Sequence, residues 1–410
     1  MKKRVVVTGM GAISPIGLDV QTMWQAMKAG EHGFCEIDAF DTGAYKAKIA
    51  GQIKDFDPAA YMQKREYSRM DRYCQFAIAA AMEAAEQAGL EQSGIDPERL
   101  GVCVGTGVGG IGTTEREVTK LNEKGPNRIN MLLVPMMISN MAAGNIAIKY
   151  GAKAECIAVV TACATGTQSI GEAYRQIKFG LADMMICGGS EAAITPVSVA
   201  GFIQITALSL QTDPDRASIP FDKRRDGFVM GEGAGILVLE ELEHAKKRGA
   251  NILGEIVGYG STCDAYHMTA PDPQGDGGAR AMKLAMRDAG VDRVEYINAH
   301  GTSTPYNDKT ETLAIKAALG KQAYNTPVSS TKSVTGHMLG AAGAVEAIAC
   351  IKAIEEGFVP PTAGYREADA ECDLDYVPNT GRKAEIKTAL SNSLGFGGHN
   401  ATLAFGKYEV

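Results

Sequence analysis

The run Ala158-Val159-Val160-Thr161-Ala162-Cys163-Ala164-Thr165-Gly166-Thr167 is the stretch on which the fold and the chemistry of this chain turn. An apolar, β-branched segment gives way abruptly to small residues. Up to Thr161 the pattern predicts a buried strand, and from Thr167 to Ile177 the spacing becomes helical. Strand, tight turn and helix in succession form an α/β unit, with Cys163 on the turn. Unpaired backbone N–H groups and the positive helix end converge at such a place. That setting is expected to lower a thiol pKa and leave the sulfur exposed as a nucleophile.

Two further stretches have the same form. Tyr296-Ile297-Asn298-Ala299-His300-Gly301-Thr302-Ser303-Thr304-Pro305 is a short apolar strand ending in a polar turn with a histidine at its tip. Val328-Ser329-Ser330-Thr331-Lys332-Ser333-Val334-Thr335-Gly336-His337 repeats the pattern and runs into the small-residue helix that begins at Gly340. The chain has only 6 histidines, and two of them stand at strand-to-helix turns equivalent to that of Cys163. A fourth segment, Ser391-Asn392-Ser393-Leu394-Gly395-Phe396-Gly397-Gly398-His399-Asn400, reads as a glycine-rich loop suited to presenting backbone N–H groups to an oxyanion. Of the remaining cysteines, Cys35, Cys74, Cys103, Cys156, Cys187, Cys350 and Cys372 read as small buried hydrophobes, and Cys263, in a polar turn, is left undecided.

Composition bounds the rest. The 410 residues are 45% hydrophobic and 22% charged, the balance of an ordinary globular protein. A net charge of -7 argues against nucleic-acid binding. The 9 cysteines have no regular spacing and no CxxC pair, which points away from a disulfide framework or a zinc site and towards a reducing cytoplasm. Met1-Lys2-Lys3-Arg4 has the charge of a signal n-region, but Val5-Val6-Val7 before Thr8-Gly9 is too short an apolar run and reads as a first strand. The longest apolar segment, Met131 to Ile148, is interrupted by Pro135, Ser139, Asn140, Gly144 and Asn145 and is not expected to span a bilayer.

The chain also echoes itself. Val6-Val7-Thr8-Gly9-Met10-Gly11 returns as Ile256-Val257-Gly258-Tyr259-Gly260, and Ala84-Ala85-Glu86-Gln87-Ala88-Gly89 as Ala285-Met286-Arg287-Asp288-Ala289-Gly290. Gly166 and Glu172 fall against Gly340 and Glu346, which places Cys163 opposite His337. The echoes keep their order, so the chain reads as a duplication with a shortened second copy. The break falls near Glu243 to Asn251, giving halves 1–250, with Cys163, and 251–410, with His300 and His337. Alternating strands and helices imply a largely parallel sheet flanked by helices. Gly105-Thr106-Gly107-Val108-Gly109-Gly110 matches GxGxxG, but a dinucleotide site also needs an acidic residue ending the next strand. Leu121 to Pro126, at that distance, reads as a turn, and nicotinamide binding is rejected.

On these residues the chain resembles the β-ketoacyl-acyl carrier protein synthases of the elongating type, most closely the type II synthases of bacterial fatty acid synthesis. The resemblance rests on Thr161-Ala162-Cys163, Asn298-Ala299-His300-Gly301-Thr302-Ser303-Thr304, Ser330-Thr331-Lys332-Ser333 with Gly336-His337, and the segment Asn392 to Asn400. Pro220-Phe221-Asp222 and Arg225 to Ala234 add to it, and it spans Arg4 to about Phe405. It implies a thiolase-like fold, a duplicated α/β chain forming a five-layer αβαβα sandwich. A Cys-His-His set is that of elongating synthases, whereas initiating ones use Cys-His-Asn and thiolases Cys-His-Cys. Ala164-Thr165-Gly166 departs from the serine run of many relatives, which favours a discrete bacterial synthase over a polyketide module.

The implied reaction is a decarboxylative Claisen condensation of acyl-ACP with malonyl-ACP, giving a β-ketoacyl-ACP two carbons longer and CO2. Cys163 would carry the acyl group, His300 and His337 would hold the malonyl-derived enolate, and the N–H groups of Cys163 and Phe396, beside Gly395, would form the oxyanion hole. Lys332 and Glu346 would pair behind the histidines. Thr302, Thr304 and Thr269 would bind the phosphopantetheine arm. Val108 would bear on chain length, and Phe396 and Phe202 would gate the acyl and malonyl routes. Leu133, Met136, Met137 and Ile138 would line either the acyl tunnel or a homodimer interface. Lys64, Arg65, Arg69 and Arg72, at roughly helical spacing, and a second cluster of Lys124 and Arg128 are candidate landing sites for the acidic carrier. No cofactor is implied beyond the phosphopantetheine that arrives on the carrier, and the resemblance leaves a structural monovalent cation open. The same fold also gives non-catalytic chain-length factors, which lack the cysteine, and thiolases, which need a second cysteine in the last glycine segment, where this chain has Phe396 and His399.

Overall fold

The structure is a computed structural model that describes residues 3–409; Met1 and Lys2, part of the basic start, lie outside it. Its core is a ten-stranded sheet. In chain order the strands are β1 (Val5–Ile13), β2 (Leu100–Gly105), β3 (Cys156–Ile157), β4 (Met184–Glu191), β5 (Gly233–Glu241), β6 (Gly254–Cys263), β7 (Tyr296–Asn298), β8 (Val328–Ser329), β9 (Thr388–Gly395) and β10 (His399–Gly406). Across the sheet they run β8-β7-β9-β10-β6-β1-β5-β4-β2-β3, a palindrome about the β1/β6 seam. The seam is antiparallel and short, with Val5 opposite Ile256 and Val7 opposite Gly254.

Each half repeats the same connectivity. The helices that matter are α1 (Arg72–Gln87), α2 (Ile111–Lys124), α3 (Met141–Tyr150), α4 (Thr165–Lys178), α5 (Asp276–Ala289), α6 (Pro305–Leu319) and α7 (Ala342–Glu356). α1 and α3 cover the outer face of the first half, α5 and α6 that of the second, and α4 and α7 lie between the two halves, touching strands of both. This gives five layers, α–β–α–β–α. The sheet is mixed rather than largely parallel: β2 pairs in parallel with β3 and β4, but β5 runs antiparallel to β4 and β1, and the second half copies this.

Glycines at matching places show how closely the layers are pressed. A Cβ on Gly9 or Gly11 would lie 2.0 or 1.9 Å from the carbonyl oxygens of Ala84 and Ala80 on α1. On Gly258 or Gly260 it would lie 2.1 or 2.0 Å from those of Ala285 and Ala281 on α5. The echoed glycines and alanines are thus the two faces of one repeated strand–helix contact. The central helices are buried as only apolar and small-residue helices can be. α7 is buried without a break from Ala342 to Ile354, and α4 from Thr165 to Gly171.

Three expectations from the sequence are corrected: the strand before Cys163, the burial of two cysteines and the turn at Leu121. The buried strand predicted up to Thr161 is only Cys156–Ile157, an edge strand; Ala158 to Thr161 lie outside any strand, and Val160 is half exposed. An edge strand has one face and one flank free, so its apolar character reflects the turn that follows rather than a central place. Cys156 is accordingly exposed and Cys35 half-buried, whereas Cys74, Cys103, Cys187, Cys350 and Cys372 are buried as expected. All 9 cysteines are free. Leu121 to Lys124 belong to α2 instead of a turn.

Because the Gly11 site has backbone at contact distance and no side chain able to yield, Gly11→Ala is expected to destabilise the protein by about 3 kcal/mol or more through overpacking. Urea unfolding measures this, and an unchanged midpoint would show that the layers part more easily than their spacing indicates.

Candidate active site

Cys163 sits in the one-turn segment Ala162–Ala164 that leads into α4. Ala162 has φ 50°, the left-handed region, so the chain turns sharply and delivers Cys163 to the end of the helix. The sulfur borders a cavity of about 330 Å³ that is also lined by His300, His337, Phe396, Thr302 and Thr304. His300 lies just past β7 and His337 just past the short helix Lys332–Thr335 that follows β8, so turns from both halves of the chain meet at the cavity.

Cys163 is buried, contrary to the exposed sulfur expected from sequence. Burial pushes its thiol up to about 12, against the Lys332 charge and the N–H groups of Phe396 and Cys163, which pull it down. The sulfur at rest is therefore a thiol, and the donors that would favour a thiolate are aimed at the place where a carbonyl oxygen would develop charge. The two imidazoles stand edge to face with centroids 5.2 Å apart. Burial, then the Lys332 charge, holds both well below the usual histidine pKa, so both are neutral. Each Nδ1 is sealed in protein without a partner, and Nε2 is the nitrogen left towards the cavity.

Lys332 is a buried cation, not surface charge: its Nζ meets Glu346 with both side chains all but inaccessible. Thr302 and Thr304 hold their hydroxyl oxygens 2.9 Å apart on the cavity wall, and exposed Thr269 stands at its mouth. Phe202 also lines the cavity, edge-on to Phe228 at 5.4 Å, and Phe228 is edge-on to His337 at 5.1 Å. Gly395 is required by close approach, since a Cβ there would lie 3.2 Å from the Cys163 nitrogen. The segment expected to be one long loop is mostly the β9/β10 hairpin; only Phe396, Gly397 and Gly398 form the turn. The alternating residues before it are core strand, which glycine content alone does not reveal.

Three carboxylates that sequence reasoning passed over hold these turns. Glu311 on α6 accepts the N–H groups of His300 at 2.7 Å and Gly301 at 2.8 Å. Burial raises its carboxyl to about 7. Asp308, one turn earlier, accepts from Phe221 and Ser303, both of which have left-handed φ. Their signal was available: Asp308, Glu311 and Ile315 share the buried face of α6, and acids at core spacing need a reason. Glu191, ending the apolar strand β4, accepts from Gly107 at 2.7 Å and Gly340 at 3.0 Å. It fills the amide cradle of the GxGxxG loop that a phosphate would need. Nothing in the sequence marked it.

Among the described residues no cluster of His, Cys, Asp or Glu could hold a metal ion. Asn298 Oδ1, Ser391 Oγ and Glu346 Oε2 are buried oxygens without a hydrogen-bond partner.

With this geometry in view, the chain matches the Beta-ketoacyl synthase N-terminal domain over residues 2–245 and the C-terminal domain over 253–366. The chain belongs to the beta-ketoacyl synthase family. It is 54% identical over 411 residues to the 3-oxoacyl-[acyl-carrier-protein] synthase 2 of Synechocystis sp., covering 100% of this chain and 99% of that protein. The identity to the same-named protein of Staphylococcus aureus is 52% over 410 residues, with 100% and 99% covered. The fold is that of a ketosynthase solved in complex with its type II polyketide acyl-carrier protein, with a TM-score of 0.92, 37% identity and 100% of both chains covered.

Other expected site residues fall elsewhere. Val108 is 42% exposed and, like Leu133, Met136, Met137 and Ile138, lies outside the lining of this cavity. Lys64 to Tyr67 is a single helical turn that ends before α1, so Lys64, Arg65, Arg69 and Arg72 do not share one helix face. Arg72 is committed to Glu232 at 2.9 Å and to the Ile53 carbonyl. Lys64, Arg65 and Arg69 are exposed, as are Lys124 at the end of α2 and Arg128 just beyond it.

The charge arrangement sets two expected outcomes. Lys332→Met removes the cation that favours the thiolate, so the Cys163 pKa rises further and iodoacetamide alkylation slows; an unchanged rate-versus-pH curve would detach Lys332 from the thiol. The neutral histidines gain protons only well below pH 6.5, so the acid limb of activity lies below that pH, and a limb centred at 6.5 would contradict their burial.

Proposed function

We propose that the protein is a 3-oxoacyl-[acyl-carrier-protein] synthase that joins an acyl group to a malonyl-derived two-carbon unit in bacterial fatty acid elongation. The observation that carries this is one buried cavity holding a cysteine, two neutral imidazoles and two open amide N–H groups. A thiolate nucleophile, an oxyanion hole and donors for an enolate are together the needs of a condensation without a strong base.

Cys163 Sγ attacks the acyl thioester carbonyl, and the oxyanion is held by the N–H groups of Cys163 and Phe396. The carrier's thiol leaves with the proton that Cys163 gives up. Malonyl thioester then enters. Its C–C bond to the carboxylate breaks, CO2 departs, and the electron pair stays as an enolate whose oxygen accepts from Nε2–H of His300 and His337. The enolate carbon attacks the acyl carbonyl, the C–S bond breaks with its electron pair on Cys163 Sγ to release the product, and the thiolate takes a proton from solvent to return to the resting thiol. Because the imidazoles are neutral, they donate without needing a second proton source.

The pantetheine arm runs along Thr302, Thr304 and Thr269 to the cavity mouth, with Phe202 and Phe396 beside the reacting sulfur. The carrier lands on exposed cations, with Lys64, Arg65 and Arg69 as one patch and Lys124 and Arg128 as the other. Val118, Leu121, Met131, Val134 and Met137 form an exposed apolar face on and after α2, which we assign to a homodimer interface. Val108 and the Leu133–Ile138 segment bear on chain length only through that interface. The halves 1–250 and 251–410 act as one unit because they share the α4/α7 layer. Among the described residues no helix is long and apolar enough to cross a membrane. Free cysteines favour the cytoplasm.

Intact-mass measurement with a series of acyl-ACPs is expected to give an adduct confined to Cys163, absent in Cys163→Ala and chased by malonyl-ACP. An unmodified Cys163 with intact acyl-ACP would refute the reading and favour a non-catalytic partner subunit. His337→Ala should keep the adduct but slow its chase by about 100-fold or more. Charge reversal at Lys124 and Arg128, or at Lys64 and Arg65, should raise KM for the carrier without changing kcat. Unaltered KM in both double variants would place docking elsewhere.

A further inference from the structure

The duplication makes two copies of the turn that carries Cys163, and their contents differ in an informative way. The turn Ala162–Ala164 precedes α4 and the turn Leu339–Ala341 precedes α7. Ala162 and Leu339 have φ 50° and 46°, and Ala164 and Ala341 donate to the carbonyls of Thr161 and Met338 at 3.0 and 2.9 Å. The contacts between the helices are reciprocal too: Gly166 abuts Ala344, and Gly343 abuts Thr167. Cys163 therefore corresponds to Gly340. This corrects the sequence echo that had set it opposite His337, three residues too early.

The strands fix a second correspondence. β4 pairs with β5 from Met184–Glu240 to Glu191–Gly233, and β9 pairs with β10 from Thr388–Gly406 to Gly395–His399. Glu191 and Gly395 are the last residues of equivalent strands. At Gly340 the turn's N–H donates to Glu191 Oε2 at 3.0 Å, alongside Gly107 at 2.7 Å, while Oε1 receives Thr106 Oγ1 at 2.7 Å and Val108 N at 3.2 Å. Glu191 is fully buried and every partner is a donor. At Cys163 the same place is Gly395, and the N–H groups of Cys163 and Phe396 face the cavity instead.

We propose that Glu191 is the resident anion of a nest built on the Gly340 N–H, the counterpart of the Cys163 N–H, where it acts as a positioning residue for the turn bearing His337, and that Gly395, its counterpart, leaves the Cys163 N–H open for substrate. One turn N–H is satisfied by the chain's own carboxylate and its counterpart is left to the reaction. Glu191 ties the Thr106–Val108 loop to Gly340, three residues after His337, so that imidazole is held from its C-terminal side by this carboxylate. The inference about His337 rests on the condensing activity proposed above; the anion nest does not.

Glu191→Gly empties the nest, and formate or acetate is the probe. The expected result is a lower Tm and slower decarboxylation of malonyl-ACP, both raised by millimolar formate or acetate and not by chloride at equal ionic strength. Wild type should respond to neither. Glu191→Gln keeps the volume but turns an NH2 group towards donors, so decarboxylation should fall on the order of 100-fold while iodoacetamide still alkylates Cys163. A Glu191→Gly protein whose Tm ignores formate, or a Glu191→Gln protein with wild-type decarboxylation, overturns the proposal. If Glu191→Gly does not fold, the Gln variant decides. Wild type that fails to decarboxylate malonyl-ACP would refute the condensing function, and the response of Tm to formate would still judge the nest.

Discussion

Everything at the site depends on the crossing of α4 and α7. Gly166 lies against the backbone of Ala344 and Gly343 against Thr167, so the helices touch main chain to main chain. Only residues without bulk permit that approach. The crossing brings the start of one helix, with Cys163, beside the start of the other, just after His337. A larger side chain at either glycine would force the helices apart, and at Gly343 it would meet the Thr167 hydroxyl that bonds Ser393.

The crossing also explains the electrostatics. A cavity between two buried helices is poor in solvent, so the thiol is pushed up and the histidines are held neutral by the same burial. Lys332 works against the first effect and with the second. Its own charge is tolerated because Glu346 meets it on α7. Removing one member of such a pair strands the other in the core, which is more costly than never having had the pair. Glu311 and Glu191 are held differently, by backbone N–H groups, and so serve as fixed supports for the turns that carry His300 and His337.

Sequence patterns singled out residues that the structure brings together because each sits at an abrupt change from an apolar strand to small residues, a local feature. Cys163, His300 and His337 do share one cavity, together with Thr302, Thr304 and Phe202. The failures were all of one kind. Arg72 looked like part of a basic stripe until Glu232 claimed it. The glycine-rich segment from Ser391 hid a strand, because pairing with β10 sets its conformation and no local propensity reports that partner.

By itself the sequence determined the α/β class, the repeated order of strands and helices, and which cysteine and two histidines come to share one cavity, since periodicity, glycine spacing and turn chemistry are written within a few neighbouring residues. The tertiary structure alone decided that the sulfur is buried, that the imidazoles are neutral, that Lys332 is paired, and that Cys163 corresponds to Gly340 rather than to His337. The physical reason is that burial and charge depend on what packs from distant parts of the chain. Glu191 shows this most clearly: as a residue it ends an apolar strand without a mark, and only the twofold arrangement of strand ends reveals which amides it occupies and which Gly395 leaves free.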